Sequence, residues 1–390
     1  MNTNIKLLYG FSFFDPFMIV IPVWVPYLAT LGITMRQFME LQAVFALVIL
    51  CGEVPSGLLS DLWGRKKTLL VGSTLKAISF SLLPLWSSYE GFLFHHLMMG
   101  IALSMISGGD VALLYDSHLA AGGERSRGTA VLGNMQLAGQ TGAAVSALLG
   151  GAVVTLFYGH LLWANAILSW IPTLLVLRVT EPPAALPREK KRSEDFKEVL
   201  STVLVRDAAT RLVFLNLVAS GTVGLVMVWT NQKYWQDSRV PLAYFGVLSA
   251  GYSLIVGFAG RSAALASARY GRRPLLAVVG VLPIIAYSGM ASFFGWAGIV
   301  FGLLIQISRG LGSVLFLNAL NERITSTFRA TVISMVQLGT RASFVLLGPL
   351  VGYGIDAWGL PSVLSALGIL FSIAFVFLLL PLVLRTTALS

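Results

Sequence analysis

Long apolar runs, separated by short clusters of charged or turn-forming residues, recur along the whole chain. A helix needs about 20 apolar residues to cross roughly 30 Å of hydrocarbon. Twelve runs meet that length: 7–31, 37–60, 68–88, 91–115, 129–157, 160–178, 210–231, 242–266, 274–295, 297–320, 330–354 and 361–384. The pattern predicts an all-α, multi-pass membrane protein of twelve transmembrane helices. The runs lack the ten-residue alternation of outer-membrane strands, which excludes a β-barrel. The first run is too long for a cleavable leader and is interrupted by Asp15, Pro16, Pro22 and Pro26.

Composition agrees with this reading. Of 390 residues, 56% are hydrophobic and 11% charged, whereas a soluble domain carries roughly 25% charged residues. Cys51 is the sole cysteine, so neither an intramolecular disulfide framework nor a cysteine metal cluster exists. The net charge of +10 fits either nucleic acid or a membrane topology signal, and placement decides. With the amino terminus inside, 20 of the 27 basic residues fall on one side. Only Arg36, Lys233 and Arg239 lie on the other, and Lys76, Arg261, Arg309 and Arg341 lie within spans. The positive-inside rule then places both termini in the cytoplasm of a bacterial inner membrane, and nucleic acid is not an expected partner.

The longest hydrophilic stretch, Arg178 to Arg211, divides the runs six and six. The expected organisation is a six-helix bundle over 1–178, a cytoplasmic linker over 179–209 and a second six-helix bundle over 210–390. Pro182, Pro183 and Pro187 favour an extended start to the linker, and Ser193 to Leu204 suits a short amphipathic helix on the inner membrane face.

The halves echo each other. Gly57-Leu-Leu-Ser-Asp61-Leu-Trp-Gly64-Arg65-Lys66-Lys67 follows the second run, and Ala264-Leu-Ala-Ser-Ala268-Arg-Tyr-Gly271-Arg272-Arg273-Pro274 follows the eighth. Arg127-Gly-Thr-Ala before the fifth run matches Arg329-Ala-Thr-Val before the eleventh. Offsets of 207 and 202 residues point to a duplicated six-helix unit with pseudo-twofold related halves.

The segment Gly57-x-x-x-Asp61-x-x-Gly64-Arg65-Lys66, set between spans two and three, resembles the signature loop of the major facilitator superfamily. With Glu53-Val-Pro-Ser before it, the stretch is similar to that of bacterial drug:proton antiporter-like members. Two features depart from those antiporters. His96 stands where they have an arginine before the glycine of span four, and Gly150-Gly151 lacks the proline of their span-five pair. The resemblance implies that the loop latches the cytoplasmic side in the outward-open state. That gating role carries over to Gly57, Asp61, Gly64, Arg65 and, in the basic loop before the fifth run, Arg127.

Physical chemistry gives each loop residue a reason. Gly57 is expected to let helix two approach a neighbour, and Gly64 supplies a permissive turn. Asp61 sits near a helix carboxyl end, where the dipole disfavours it, so it needs a partner such as Arg65 or the amino end of another helix. Asp116 is expected to pair with Arg125 or Arg127.

An ionisable group at bilayer depth costs roughly 2.5–3.5 kcal/mol on insertion scales, so the charges inside spans mark function. Asp15 lies near the middle of the first span, on a segment that Pro16, Pro22 and Pro26 should bend. It is the leading candidate for proton coupling or substrate contact, the alternative being a structural bridge to Lys76 or Arg341. Glu53 and Asp110 are the next coupling candidates. Arg309 and Arg341 either bind an anionic or zwitterionic group or neutralise Asp15 and Asp110. Asn134 and Gln140 are further substrate-binding candidates. Trp24, Trp86, Trp163, Trp296 and Trp358 read as an interfacial belt. His95 and His96 lack a metal-binding framework, and no phosphate loop, nucleophile elbow or nucleotide fingerprint is present. No cofactor, metal or enzymatic activity is therefore expected.

The expected function is proton-coupled transport of a small, amphipathic organic molecule by alternating access, in a monomer acting as an exporter. Proton symport that imports an anionic or zwitterionic nutrient or metallophore is the alternative, and a lysophospholipid flippase is a second.

Overall fold

The computed structural model describes residues 3–124, 128–182, 207–324 and 329–384; for Asp61, Gly128, Thr129, Arg329 and Ala330 it describes the helical backbone alone. Every regular element among the described residues is helical. The first apolar run is broken into α1 (Thr3–Phe14), a 3-10 turn (Ile21–Val23) and α2 (Trp24–Thr30). Then come α3 (Met35–Trp63), α4 (Arg65–Leu82), α5 (Tyr89–Ile106), α6 (Gly109–Ala120), α7 (Gly128–Val153), α8 (Tyr158–Leu168) and α9 (Trp170–Arg178). After residue 207 follow α10 (Ala208–Asp237), α11 (Ala243–Tyr270), α12 (Arg272–Ser292), α13 (Trp296–Arg323), α14 (Arg329–Trp358), α15 (Leu360–Ala374) and α16 (Leu380–Leu384).

Among the described residues ten helical segments are long and apolar enough to cross a membrane. The broken first run and α7 are not among the ten. The first run splits where Asp15-Pro16 interrupts the ladder: Pro16 has no N–H to donate and disfavours helical geometry at the residue before it. The sequence expectation of a bend there is met by a full break of six residues between Phe14 and Ile21.

Local signals explain the helix ends. Thr34 and Gln37 form a reciprocal capping box at the start of α3, with Thr34 Oγ1 accepting from the Gln37 amide at 3.3 Å and Gln37 Oε1 accepting from the Thr34 amide at 3.1 Å. Ser88 caps α5. Asp207 caps α10, accepting from the amides of Ala209 and Thr210 and from the Thr210 hydroxyl. Partial burial pushes the Asp207 carboxyl up, but these bonds, with Arg323 nearby, outweigh it and hold it below the usual carboxylate range. The last helix passes through a π-helical turn, Phe375–Leu379. Pro381 follows it, and its ring would crowd the carbonyl four residues earlier in a regular helix. Asn216 donates to the Leu378 carbonyl at 3.0 Å, satisfying a group in the widened turn.

Contacts divide the chain into two compact units: Met1–Glu189 with Pro241–Ala250, and Lys190–Val240 with Gly251–Ser390. Leu8, Phe11, Leu69, Ile106, Leu113, Met135 and Val176 form a core in the first. Val213, Val218, Leu276, Val279, Leu315, Phe316 and Met335 do so in the second. Outer faces carry large apolar side chains, Leu62 at 80% exposure and Leu265 at 76% among them, as a lipid-facing surface requires. Lipid tails are as apolar as leucine, so close packing and hydrogen bonds hold such bundles together more than expulsion of water does.

Two expectations need correction. Trp24 is 3% exposed and stacks on Tyr27 beside Phe92, His95 and His96, so it packs inside and does not belong to an interfacial belt. Trp163, Trp296 and Trp358 are exposed. Gly57 has no described atom within 4 Å of where its Cβ would stand. Its small size therefore admits no close neighbour among the described residues, and that part of α3 presents Val54, Pro55 and Leu58 outward as well.

Candidate functional site

Two breaks in the helices of the first unit meet at one cavity. At the first, Asp15 ends α1: its amide still bonds to the Phe11 carbonyl at 2.7 Å, but Pro16 takes the chain out of helix. The Asp15 carbonyl is met by Lys76 of α4, whose ammonium donates both to that carbonyl and, at 2.8 Å, to Asp15 Oδ1. Lys76 is 2% exposed while Asp15 is only half-buried. One ammonium thus holds the carboxylate and the broken backbone together.

The second break separates α5 from α6. Gly108 has φ 78°, the left-handed conformation that glycine adopts at little cost. Asp110 then falls in the first turn of α6, where a negative charge suits the helix dipole, and its Oδ1 accepts from the Val111 amide at 2.8 Å. Among the described residues Asp110 has no ion pair.

Asp15 and Asp110 both line a cavity of about 440 Å³, with Ser12 of α1 and with Gln136 and Gln140 of α7. Of the sequence candidates, the fold brings Asp15, Asp110 and Gln140 together. Gln136 is the addition; it lies one turn before Gln140 on the same helix face, a spacing that singles it out only once Gln140 is known to face the cavity. Asn134 is exposed on α7 and Glu53 half-buried on α3, and neither lines this cavity.

Arg309 and Arg341 lie in the second unit, on α13 and α14. Arg309 donates to Gln306 Oε1 at 2.8 Å and lines a separate small cavity, which Arg341 does not reach. His95 and His96 are buried and bonded: Ser79 Oγ lies 2.7 Å from His95 Nδ1, and His96 spans the Phe92 carbonyl at 2.7 Å and Gln42 Nε2 at 3.1 Å. Since His96 Nδ1 faces a carbonyl it carries the hydrogen, which leaves Nε2 to accept from Gln42.

The signature loop builds a second polar cluster. Gly64, at φ 96°, turns the chain from α3 into α4. The Arg65 side chain reaches the Ala112 carbonyl at 2.7 Å and pairs with Asp116 of α6. Asp116 therefore takes Arg65 as its partner; Arg125 and Arg127, expected in that role, lie outside the described residues, as does the Asp61 side chain. Glu181, just past α9, accepts from the amides of Arg65 and Lys66 at 2.9 and 2.7 Å. A carboxylate there satisfies two free amides at the start of α4 and opposes the helix dipole favourably. Sequence reasoning missed Glu181. Glu181→Gln is expected to lower stability by about 0.5–1 kcal/mol, an exposed cap lying toward the weak end of the range; denaturant titration of the purified protein measures it.

The second unit repeats this arrangement. Gly271 has φ 83°, and Arg272 pairs with Glu322 through two bonds of 2.8 and 2.6 Å. The two arginine–acid pairs span 51 and 50 residues, each following a glycine-arginine turn. Ala268 at the Asp61 position lines a cavity of about 820 Å³ with Ser267, Arg272 and Asn318.

Comparison with known proteins agrees with this architecture. The 3-(3-hydroxy-phenyl)propionate transporter of Escherichia coli (strain K12) is 28% identical over 344 residues, covering 85% of this chain and 81% of that protein. The nucleoside transporter NupG superposes with a TM-score of 0.80 at 15% identity, covering 97% of this chain and 98% of that one. A bacterial homologue of the human lysosomal transporter Spinster, inward-facing and unoccupied, gives 0.79 at 15% identity, covering 97% and 95%. The sequence profile of the Major Facilitator Superfamily matches residues 7–328. The chain accordingly belongs to the Major Facilitator Superfamily and is a multi-pass membrane transporter.

Proposed function

We propose that this transporter moves a small organic solute together with protons, by alternating access across a bacterial inner membrane. In this reading the chain crosses twelve times, six in each of the halves 1–178 and 210–390, with the linker 179–209 and both termini cytoplasmic, and acts as a monomer. The observation that carries the coupling is the unequal pair of acids in the first-unit cavity. Asp15 is held by Lys76. Among the described residues Asp110 has no cation, and a carboxyl at that depth without one is the group free to take up and release a proton. The sequence alone put Asp15 first; with Lys76 on it, Asp15 becomes the fixed charge beside which Asp110 works.

Gln136 and Gln140 offer amide donors and acceptors to polar substituents of the solute. Arg65, with Asp116 and Glu181, gives the signature loop an anchor that can lock one side of the pathway. Symport is the favoured direction, because a proton taken up with an organic acid cancels its charge for the crossing. The relative named for hydroxyphenylpropionate, an aryl carboxylic acid, supports a solute of that kind. Export by antiport is a second reading, supported by the likeness of Gly57 to Lys67 to the drug:proton antiporters.

Proteoliposomes test both. An inward proton gradient should drive 3-phenylpropionate above equilibrium, and an inward gradient of that solute should alkalinise the external medium. Accumulation only when the proton gradient runs opposite to solute flow would replace symport with antiport. No proton movement in either case would end the coupling proposal.

A further inference from the structure

The turn from α11 into α12 leaves a cavity of about 820 Å³ that the transport reading does not use. Its floor is apolar: Ala263 is fully buried and Leu315 is 9% exposed. Arg272, Arg273, Ser267 and Asn318 make its polar walls. Ala264, Ala268, Arg273 and Asn318 are exposed, so the cavity opens outward.

The charge of these walls is one-sided. Glu322 answers Arg272 through the two bonds of 2.8 and 2.6 Å. Arg273 adds a second guanidinium, and among the described residues no carboxylate lines the cavity. The matching turn of the first unit is built differently. There the sequence has Asp61, and Glu181 accepts from the amides of Arg65 and Lys66. At the Asp61 position the second turn has Ala268, whose methyl group is smaller and carries no charge. Space and positive potential thus coincide where the first turn holds an acid of its own.

Position selects the kind of anion. The cavity lies at the ends of two spanning helices, α11 and α13, and at the start of a third, α12. Leu265, next in the chain to Ala264, is 76% exposed, and Tyr270 in the cavity wall is 62% exposed. The Arg269 guanidinium stands 5.4 Å from the centre of the Tyr270 ring. Leucine, an aromatic ring and arginines together at a helix end mark the level where hydrocarbon meets phospholipid head groups. Basic pockets between spanning helices at that level suit acidic head groups, and a guanidinium makes charge-assisted hydrogen bonds to phosphate oxygens. Size agrees. One water takes about 30 Å³ of liquid, so a glycerophosphate head of about ten heavy atoms needs at most about 300 Å³. A choline head group would set a second cation against Arg273, so a head whose only charge is the phosphate fits better.

We propose that this cavity binds the phosphate of an anionic phospholipid and so anchors the α11–α12 turn at the membrane surface. Arg273 meets the phosphate oxygens, Ser267 and Asn318 meet the head-group hydroxyls, and the acyl chains leave over Leu265. The site depends neither on the direction of transport nor on the coupling ion.

The test titrates purified full-length protein, stripped of co-purified lipid in dodecyl maltoside at constant ionic strength, and records Tm. Separate arms use dioleoylphosphatidylglycerol, dioleoylphosphatidylcholine and inorganic phosphate. A ligand that binds only the folded form raises Tm, and a saturable rise is expected with phosphatidylglycerol alone. Arg273→Gln should raise the half-saturating lipid concentration about tenfold, the effect of one hydrogen bond to a charged group. Ala268→Asp, which gives the second turn the acid of the first, should abolish the rise. Both positions are exposed, so the fold should survive either change; if Ala268→Asp fails to fold, Arg273→Gln decides. Arg36→Gln, at an exposed arginine of the other unit, should leave the rise unchanged, which separates a site from general attraction of lipid to a basic protein. No rise with phosphatidylglycerol, or an equal rise with phosphatidylcholine or inorganic phosphate, overturns the proposal. So does a phosphatidylglycerol rise that Arg273→Gln or Ala268→Asp leaves unchanged, or that Arg36→Gln weakens as much as Arg273→Gln.

Discussion

Asp110→Asn should reduce proton-driven uphill accumulation in proteoliposomes to the level of protein-free vesicles while leaving solute counterflow at equal pH intact. Asparagine matches aspartate in size and keeps an oxygen to accept from the Val111 amide, so the start of α6 and the break at Gly108 persist. What it removes is the ability to gain and lose a proton. In a proton-coupled carrier the loaded and empty forms must differ by that proton before they can reorient independently. A carrier locked in the neutral state can exchange solute for solute, because the same loaded form returns, but cannot convert a pH gradient into a solute gradient. The variant should also lose the dependence of exchange on external pH. Undiminished uphill accumulation by Asp110→Asn would remove Asp110 from the coupling step and return attention to Asp15.

The contrast between the two acids shows what the sequence held and what it did not. The membrane-spanning runs were legible because length and continuous apolarity are one-dimensional properties, and their expected bounds fall within a few residues of helices such as Met35–Trp63 and Arg272–Ser292. Asp15 was legible as an acid in an apolar run, and Lys76 as one of its two named partners. The choice between Lys76 and Arg341 depended on which helix packs against the break, and that is a property of the bundle. Asp110 and Gln140 were candidates without a location; their meeting with Asp15 follows from breaks in two helices, and only Pro16 and Ser107-Gly108-Gly109 hinted at these.

Partners far apart in sequence were harder still. Arg65 finds Asp116 51 residues on, and Glu181 finds the Arg65 amide across 116. The matching glycine-arginine turns carried part of this information, since Arg272 and Glu322 pair at nearly the same spacing as Arg65 and Asp116. Acidic residues at matched positions in both halves were therefore a usable signal. Tyr287 gave none, because a tyrosine in an apolar helix is commonplace until its hydroxyl is known to lie buried without a hydrogen-bond partner.

Lys76→Met should cause the largest loss of stability of any single substitution considered. Methionine fills nearly the same length of space, so the packing of α4 changes little, but two groups lose their donor together: the Asp15 carboxylate and the Asp15 carbonyl left open by the helix break. Removing one partner of a buried ion pair costs about 3–5 kcal/mol, because the other charge remains without compensation. Against a total stability of about 5–15 kcal/mol for a typical domain that is a large fraction, so folded Lys76→Met should be recovered in low yield with a markedly lower Tm. Combining it with Asp15→Asn removes the stranded charge and should restore much of the loss. The recovery should stop short of the parent protein, because the carbonyl still lacks its donor. That partial rescue separates an ion pair that also closes a broken backbone from one that only balances charge, since the latter would be rescued fully. A Lys76→Met protein as stable as its parent would show that neither group depends on the ammonium.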